Sequence, residues 1–238
     1  MSARPRREPA LPDLSKYGRL AEYRAKRRFD VTPEPPPRLA GVTKTAGKAS
    51  PKLEFVVQKH RAGHLHYDVR LEHAGVMLSW AVPKGPAPDP AVKRLAMQTE
   101  PHPMEYNQFE GVIPEGEYGG GTVMIWDRGT WTPESPDVTR ALGKGDLKFR
   151  LDGRKLKGSW VLVRTHGRQW LLMKHRDAYA STEDLTATKP RSVVSRRTLA
   201  AIARAAGASP RQLEQAAAAD LPREEGQSST AARRARVR

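Results

Sequence analysis

The chain has 238 residues, no cysteine, and 42 Lys or Arg against 26 Asp or Glu, which gives a formal net charge of +16. This length suits one domain with tails, and the lack of cysteine excludes disulfides and thiolate metal sites. With no run of about 18 apolar residues and no secretory signal pattern, we expect a cytoplasmic protein without membrane contact.

The predicted elements form a basic arm followed by a β-rich body. Residues 1–15 are rich in Pro and Arg and predict a disordered arm, residues 14–28 have a helix-forming composition, and residues 41–50 have the composition of a linker. From residue 53 the apolar pattern has a period of two, which predicts strands at 54–59, 65–72, 76–82, 121–126, 129–132, 147–151, 158–164 and 169–174. Many short strands with glycine-rich turns, expected among others at 127–129, indicate a mainly β sandwich or barrel.

Beyond the strands we predict a basic extension. Two Ala-rich helices are expected at 195–206 and 210–219, loosely attached, and a disordered tail from residue 224. We therefore divide the chain into the arm (1–15), a barrel domain (16–180) and a helical and disordered extension (181–238).

Most of the positive charge lies at the two ends of the chain. Residues 1–52 carry +8 and residues 190–238 carry +6, which leaves +2 for residues 53–189. Basic arms around a nearly neutral body indicate a polyanion partner, because Lys and Arg supply non-specific phosphate contacts. Solvated tails that only keep the protein soluble are the alternative.

One predicted strand has an unusual polar face. In an extended chain alternate side chains share a face, so His66, Asp68 and Arg70 project to one side and the apolar residues between them to the core. Together with the preceding His60, the imidazoles and the carboxylate offer N and O ligands that suit Mn²⁺ or Zn²⁺. We select His60, His66 and Asp68 as the ligand set and Arg70 as a phosphate clamp.

Simpler explanations exist for the same residues. A single histidine is more often a satisfied core or surface residue, and Asp68 with Arg70 would form an ordinary ion pair. Clustering on one strand face favours the ligand set. His64 and His73 fall in turns and are interpreted as solvated, and the five tryptophans as core residues.

Two further segments combine polar side chains with prolines. His102 stands between two prolines, and Lys84 follows a predicted strand in a proline-rich turn. Ordinary loops explain both segments equally well. The glycine-rich run at 116–121 lacks the Lys-Ser/Thr of a phosphate-binding loop, so we interpret it as the approach to a hairpin.

Several motifs occur together and in order. They are FVVQKH at 55–60, LHYDVRLE at 65–72, WAVPKG at 80–85 and HPMEY at 102–106, with KRRF at 26–29, TPEP at 32–35, FEGVIP at 109–114 and WLLMK at 170–174. Residues 17–179 thereby resemble the 3′-phosphoesterase domain of bacterial DNA ligase D. The resemblance implies a single small β-barrel with an N-terminal helix, in a stand-alone form without the ligase and polymerase domains.

By motif position, the resemblance also implies roles for individual residues. Mn²⁺, with Co²⁺ or Zn²⁺ as alternatives, would be held by His60, His66 and Asp68. The scissile phosphate would be contacted by Arg70, His102 and Tyr106. Supporting polar groups would be Lys84, Arg94, Arg27 and Glu34, with Gln58 and Glu100 behind them. One departure is Arg28, where the family usually has an acid, and this reversed charge is expected to weaken the diesterase step.

The implied activity is the healing of DNA 3′ ends in repair by non-homologous end joining. A 3′-terminal ribonucleoside is removed by phosphodiesterase action, and the remaining 3′-phosphate by phosphomonoesterase action. We expect a monomer that acts on primer-template ends alongside a separate ligase or polymerase and an end-binding protein. Two other hypotheses remain open, a non-catalytic barrel that binds DNA ends and a hydrolase of small phosphorylated metabolites, against which the basic arms argue.

Overall fold

The computed structural model describes residues 15–37 and 53–221, whose strands form a closed antiparallel barrel. The strands are β1 (Leu53–Arg61), β2 (Leu65–His73), β3 (Val76–Val82), β4 (Lys93–His102), β5 (Gly111–Ile113), β6 (Gly121–Pro133), β7 (Asp146–Gly153), β8 (Lys157–His166) and β9 (Gln169–Lys174). Their order is β1-β2-β3-β4-β9-β8-β7-β6, and pairing of β6 with β1 closes eight strands into a barrel. Strand β5 adds to the first part of β6. The predicted mainly β barrel is confirmed.

Short helices surround the barrel. A 3₁₀ turn at Ser15–Leu20 leads into α1 (Ala21–Ala25), and a second one spans Met104–Gln108. The remaining helices are α2 (Val138–Lys144), α3 (Leu185–Thr188), α4 (Leu199–Ala205) and α5 (Pro210–Asp220). Within residues 15–37 and 53–221 no helix is both long and apolar enough to span a membrane. The predictions for the first 14 residues, for the linker at 41–50 and for the tail from 224 lie outside the described residues.

The barrel interior is filled by large aromatic side chains. All five tryptophans are fully buried, which confirms that they belong to the core. The rings of Trp80 and Trp170 meet edge to face at 5.8 Å, and those of Trp131 and Phe149 at 6.1 Å. Burial of such large apolar groups is the main source of stability, and it makes the barrel a rigid support for its outer surface.

The structure corrects the prediction of two strands at 121–126 and 129–132. They are one strand, β6, because the predicted turn at 127–129 is held extended by a buried side chain. Asp127 accepts the backbone N–H groups of Arg154, Lys155 and Leu156 at 2.8–3.0 Å. This carboxylate ties β6 to the β7–β8 turn, an interaction that the local pattern does not reveal.

The prediction that the C-terminal helices are loosely attached is wrong. Leu199 and Ile202 of α4 and Ala216 of α5 are buried in the same apolar cluster as the barrel core. Lys59 of β1 also donates to the carbonyl of Ala219 at 2.7 Å. Small Ala side chains let α5 lie close against β1. The domain boundary at residue 180 stays a prediction.

A polar face lies on the outside of β1, β2 and β3. Val57, Val69 and Trp80 point into the core cluster, so their neighbours in sequence point outward. Strand β4 joins this face through an irregularity, because Ser79 lies opposite Thr99 whereas Met77 lies opposite His102. The extra residue in β4 turns His102 outward. The candidate metal centre lies on this outer face, beneath residues 15–37 and the 3₁₀ turn at Met104–Gln108.

Candidate metal centre

The predicted ligand set converges in the folded chain. One ligand atom from each of His60, His66 and Asp68 lies within 4.8 Å of the others. Antiparallel pairing places His60 directly opposite His66, and Asp68 follows on the same face of β2. The Asp68 carboxylate is 3.6 Å from Nδ1 of His60 and 3.7 Å from Nε2 of His66. The three residues are therefore arranged as one potential chelating site.

Two backbone carbonyls set the tautomers of the histidines. Nε2 of His60 donates to the carbonyl of Gly119 at 2.9 Å, and Nδ1 of His66 donates to the carbonyl of His64 at 3.0 Å. Because a carbonyl only accepts, these nitrogens carry the protons. Nδ1 of His60 and Nε2 of His66 face Asp68 and are the nitrogens placed to ligate a metal. Such outer hydrogen bonds are typical of metal-ligating histidines.

The protonation states also suit a cation. Burial alone would raise the pKa of Asp68, but Arg70 and the two imidazoles lower it well below its ordinary value. Burial lowers the pKa of His66. At neutral pH the pocket thus holds a carboxylate beside a neutral imidazole, the forms in which these groups bind metal. N and O donors without sulfur fit Mn²⁺, Co²⁺ or Zn²⁺.

Arg70 is buried beside the ligand set and held in one orientation. Its Nε donates to Gln58 at 2.8 Å, Nη1 to the Ser79 hydroxyl at 2.6 Å and Nη2 to Asp68 at 3.0 Å. Its guanidinium also stacks over the Tyr106 ring, 4.8 Å from the centroid. These bonds use three of its five N–H groups. A fixed cation therefore stands directly next to the carboxylate that would hold the metal.

A second buried arginine connects the N-terminal segment to β4. Arg27 donates from Nε to Glu34 at 2.9 Å, from Nη1 to Glu100 at 3.1 Å and from Nη2 to Nε2 of His102 at 3.2 Å. Glu34 and Glu100 are each 2% exposed. Lys26 donates to the other oxygen of Glu100 at 3.0 Å. Two buried carboxylates are thus neutralised by the buried Arg27 and the partly exposed Lys26.

His102 and Tyr106 are neutral in this network. Nδ1 of His102 donates to the carbonyl of Glu100 at 2.9 Å, so Nε2 carries the lone pair. Burial, assisted by Arg70 and Arg27, lowers the pKa of His102 well below its ordinary value. The Tyr106 hydroxyl donates to Glu34 at 3.0 Å, and burial raises the pKa of that phenol.

Lys84 and Arg94 lie apart from the Arg27 network. In the sheet, Ala81 of β3 lies opposite Asp68 of β2 on one side and Met97 of β4 on the other. Lys84 comes three residues after Ala81, and Arg94 comes three residues before Met97. Because the strands are antiparallel, both directions lead to the barrel end that holds His66. Lys84 is exposed, and Arg94 is half-buried. The structure thus groups most of the predicted residues around two arginines and leaves these two cations at the rim.

The residue that departs from the family pattern has a specific partner. Arg28 pairs with the carboxylate of Glu117, at the start of the glycine-rich run. That run also provides Gly119, whose positive φ of 77° aims its carbonyl at His60. Sequence analysis missed Gly119 because it acts through its backbone. Ser79 could have been found, since strand alternation places it outside with Asp68 and Arg70.

Comparison with known proteins identifies the family. The family profile described as the DNA Ligase D 3′-phosphoesterase domain matches residues 58–164. The chain belongs to this family. The chain is 51% identical over 187 residues to the multifunctional non-homologous end joining protein LigD of Pseudomonas aeruginosa, an alignment that covers 76% of this chain and 22% of that protein. LigD of Mycolicibacterium smegmatis is 41% identical over 174 residues, 71% of this chain and 22% of its own length.

The chain spans about a fifth of the length of these relatives. The profile includes the ligand set, Arg70 and His102, but neither the N-terminal Arg27 and Glu34 nor the helices α4 and α5. The recognition made from the motifs is confirmed, and the family is one of phosphoesterases. Roles of single residues stay predictions.

Proposed function

We propose that this domain is a manganese-dependent enzyme that heals DNA 3′ ends in non-homologous end joining. It would remove a 3′-terminal ribonucleoside as a phosphodiesterase and then the 3′-phosphate as a phosphomonoesterase. The observation that supports this most is the convergence of His60, His66 and Asp68 beside the fixed guanidinium of Arg70. The net charge of +16 favours a polyanionic substrate.

A divalent ion held by the ligand set would supply Lewis-acid polarisation of a phosphoryl oxygen. Arg70 would offset the charge that develops on the other oxygens, and its bonds to Gln58 and Ser79 hold it in position before substrate arrives. Preorganised charge of this kind needs no rearrangement during the reaction. Arg70 is therefore our principal phosphate-binding residue.

His102 would move a proton at Nε2. In the free domain burial, assisted by the Arg70 and Arg27 guanidinium groups, lowers the pKa of His102 and keeps its imidazole neutral. A phosphate bound against Arg70 would offset that positive charge and favour protonation of Nε2, which then donates to the phosphate or leaving group. Arg27 and Glu34 would act on this step by orienting His102 and Tyr106. Lys84 and Arg94 at the rim would contact DNA phosphates.

A 3′-end assay tests the proposal. A primer-template with a 3′-phosphate is incubated with the domain across a Mn²⁺ titration, and released phosphate is measured. His66→Ala removes a ligand and should lower turnover by about 100-fold or more, since even outer partners of ligands matter by 10–100-fold. His64→Ala is the matched control, because its side chain is exposed and alanine keeps the carbonyl that His66 uses.

The other hypotheses predict different results. Tight binding without turnover at any metal concentration would indicate the non-catalytic end-binding barrel. Turnover of a small phosphate monoester that duplex DNA does not inhibit would indicate a metabolite hydrolase. A primer ending in a ribonucleotide separates the diesterase from the monoesterase step in the same assay.

A further inference from the structure

A second charged cavity lies between the β7–β8 turn and the chain that follows α3. It has a volume of about 400 Å³ and no acidic residue in its lining. Its cationic lining residues are Arg154, Lys155, Lys189, Arg191 and Arg196, which we call the basic pocket. Within residues 15–37 and 53–221 none of the five forms an ion pair, in contrast to Arg27 and Arg70.

The wall of the basic pocket is built in advance. Nζ of Lys155 donates to the carbonyls of Lys189 and Arg191, both at 2.7 Å. Nη1 of Arg154 donates to the carbonyl of Val193 at 2.6 Å. The β7–β8 turn therefore fixes the backbone of the following loop, while the side chains of Lys189 and Arg191 stay exposed. A preformed wall lowers the entropic cost of ligand binding.

The electrostatics of the basic pocket favour an anion. Burial lowers the pKa of Lys155 to about 7, and although Asp127 opposes this, Lys59 and Lys189 lower it further. Arg196 has a φ of 63°, a left-handed conformation that non-glycine residues rarely adopt. Such outliers cluster at ligand clamps. Four cations and the partly protonated Lys155 repel each other around one cavity at neutral pH, and an anion bound there would relieve that repulsion.

The loop that lines the basic pocket is attached close to the strand that carries His60. Val193, in the lining, belongs to a buried apolar cluster with Val56 and Ile125 and donates its N–H to the carbonyl of Ile125 at 3.1 Å. Ile125 of β6 lies opposite Gln58 of β1, two residues before His60. One duplex can therefore contact both sites.

We propose that the basic pocket binds a backbone phosphate of the DNA duplex whose end is processed at the metal centre. This inference rests on the proposed function for the choice of DNA as ligand. It assigns a substrate contact to residues 189–196, which lie outside the segment matched by the family profile. A free phosphorylated small molecule has the same recognising chemistry, and the test separates the two sources.

The test reverses two exposed cations whose side chains do not hold the loop, in the double variant K189E/R196E. The control K144E/R150E makes the same change in net charge at exposed positions outside the basic pocket. Binding is measured on a primer-template with a 3′-hydroxyl and roughly one helical turn of duplex, about 10 base pairs. Unchanged melting temperatures verify that both variants fold.

For K189E/R196E we expect the dissociation constant to rise about tenfold, equal to about 1.4 kcal/mol. The slope of log K against log salt should fall by about 0.9, the value for one phosphate contact. Hydrolysis of p-nitrophenyl phosphate, which reaches only the metal centre, should not change. The control should bind DNA within about twofold of the unmodified domain, less than the effect of one contact.

Equal effects of the two double variants on DNA binding would overturn the inference. So would inorganic phosphate binding to the basic pocket as tightly as duplex does, which would assign it to a free small anion. If the unmodified domain bound DNA through the pocket but hydrolysed no 3′-phosphate, the proposed function would fail while the pocket assignment stood.

Discussion

Replacement of Arg27 by alanine should be among the most destabilising changes in this domain. The guanidinium donates to Glu34, Glu100 and His102, and the Arg27 side chain is 5% exposed. Removing one partner of a buried ion pair costs about 3–5 kcal/mol, because the remaining charge stays buried without compensation. Lys26 still holds Glu100 in the variant, so we expect a loss of about 4 kcal/mol, near the middle of that range.

Thermal unfolding of the metal-free domain at neutral pH measures this loss. For a domain of 150–250 residues, 1 kcal/mol corresponds to about 2–4 °C, so the Tm should fall by about 8–16 °C. Arg168→Ala is the control, since this arginine also pairs with a glutamate, Glu22, but both side chains are exposed, 61% and 39%. We expect no resolvable change in Tm for that variant.

A triple variant tests the physical reason for the loss. In R27M/E34Q/E100Q the buried charges are removed together, so no carboxylate remains uncompensated and much of the Tm should return. If Arg27→Ala melts within about 2 °C of Arg168→Ala, a difference below 1 kcal/mol, the network is not stabilised in the way that we describe.

Three further predictions concern the metal centre, the buried His102 and the basic arms. Gly119→Ala should lower Mn²⁺ affinity by about tenfold, because strain at its positive φ moves the carbonyl that orients His60. Gly116→Ala has similar backbone strain without that contact and should leave the affinity unchanged. Equal Mn²⁺ affinities of the two variants by calorimetry would contradict this. The metal-free domain should lose stability as the pH falls below about 6.5, by up to about 1.4 kcal/mol per pH unit, because the lowered pKa of folded His102 means that the unfolded chain binds the extra proton. His102→Gln should flatten that slope in denaturant unfolding, and an unchanged slope would exclude His102 as its source. Deleting residues 1–15 and 224–238 should weaken DNA binding and reduce its salt dependence, whereas equal salt slopes would show that the arms do not contact DNA.

Much of the site was predictable because its residues are close in sequence. Strand alternation alone places His66, Asp68 and Arg70 on one face, opposite to buried Tyr67 and Val69. The chemistry of these side chains then suggests a metal beside a phosphate. A pattern with a period of two is a local property of the chain, so it survives without knowledge of the fold.

Other features depend on residues far apart in the chain. Arg27 meets Glu100 across 73 residues, and His60 meets the carbonyl of Gly119 across 59. Strand β4 was missed because it contains Pro101 and pairs with β3 in an irregular register, although β3 and β9 supply its partners. Sequence reasoning names such residues one at a time but does not pair them.

Composition, alternation and short motifs are local, and they were enough to predict the β-rich body, the tryptophan core, the family and the candidate ligand set. Three features became visible only in the folded chain: β6 closes the barrel against β1, α4 and α5 pack into its core, and the basic pocket forms. The physical reason is that contacts between distant segments depend on how the whole chain buries its apolar surface, and no local pattern contains that information.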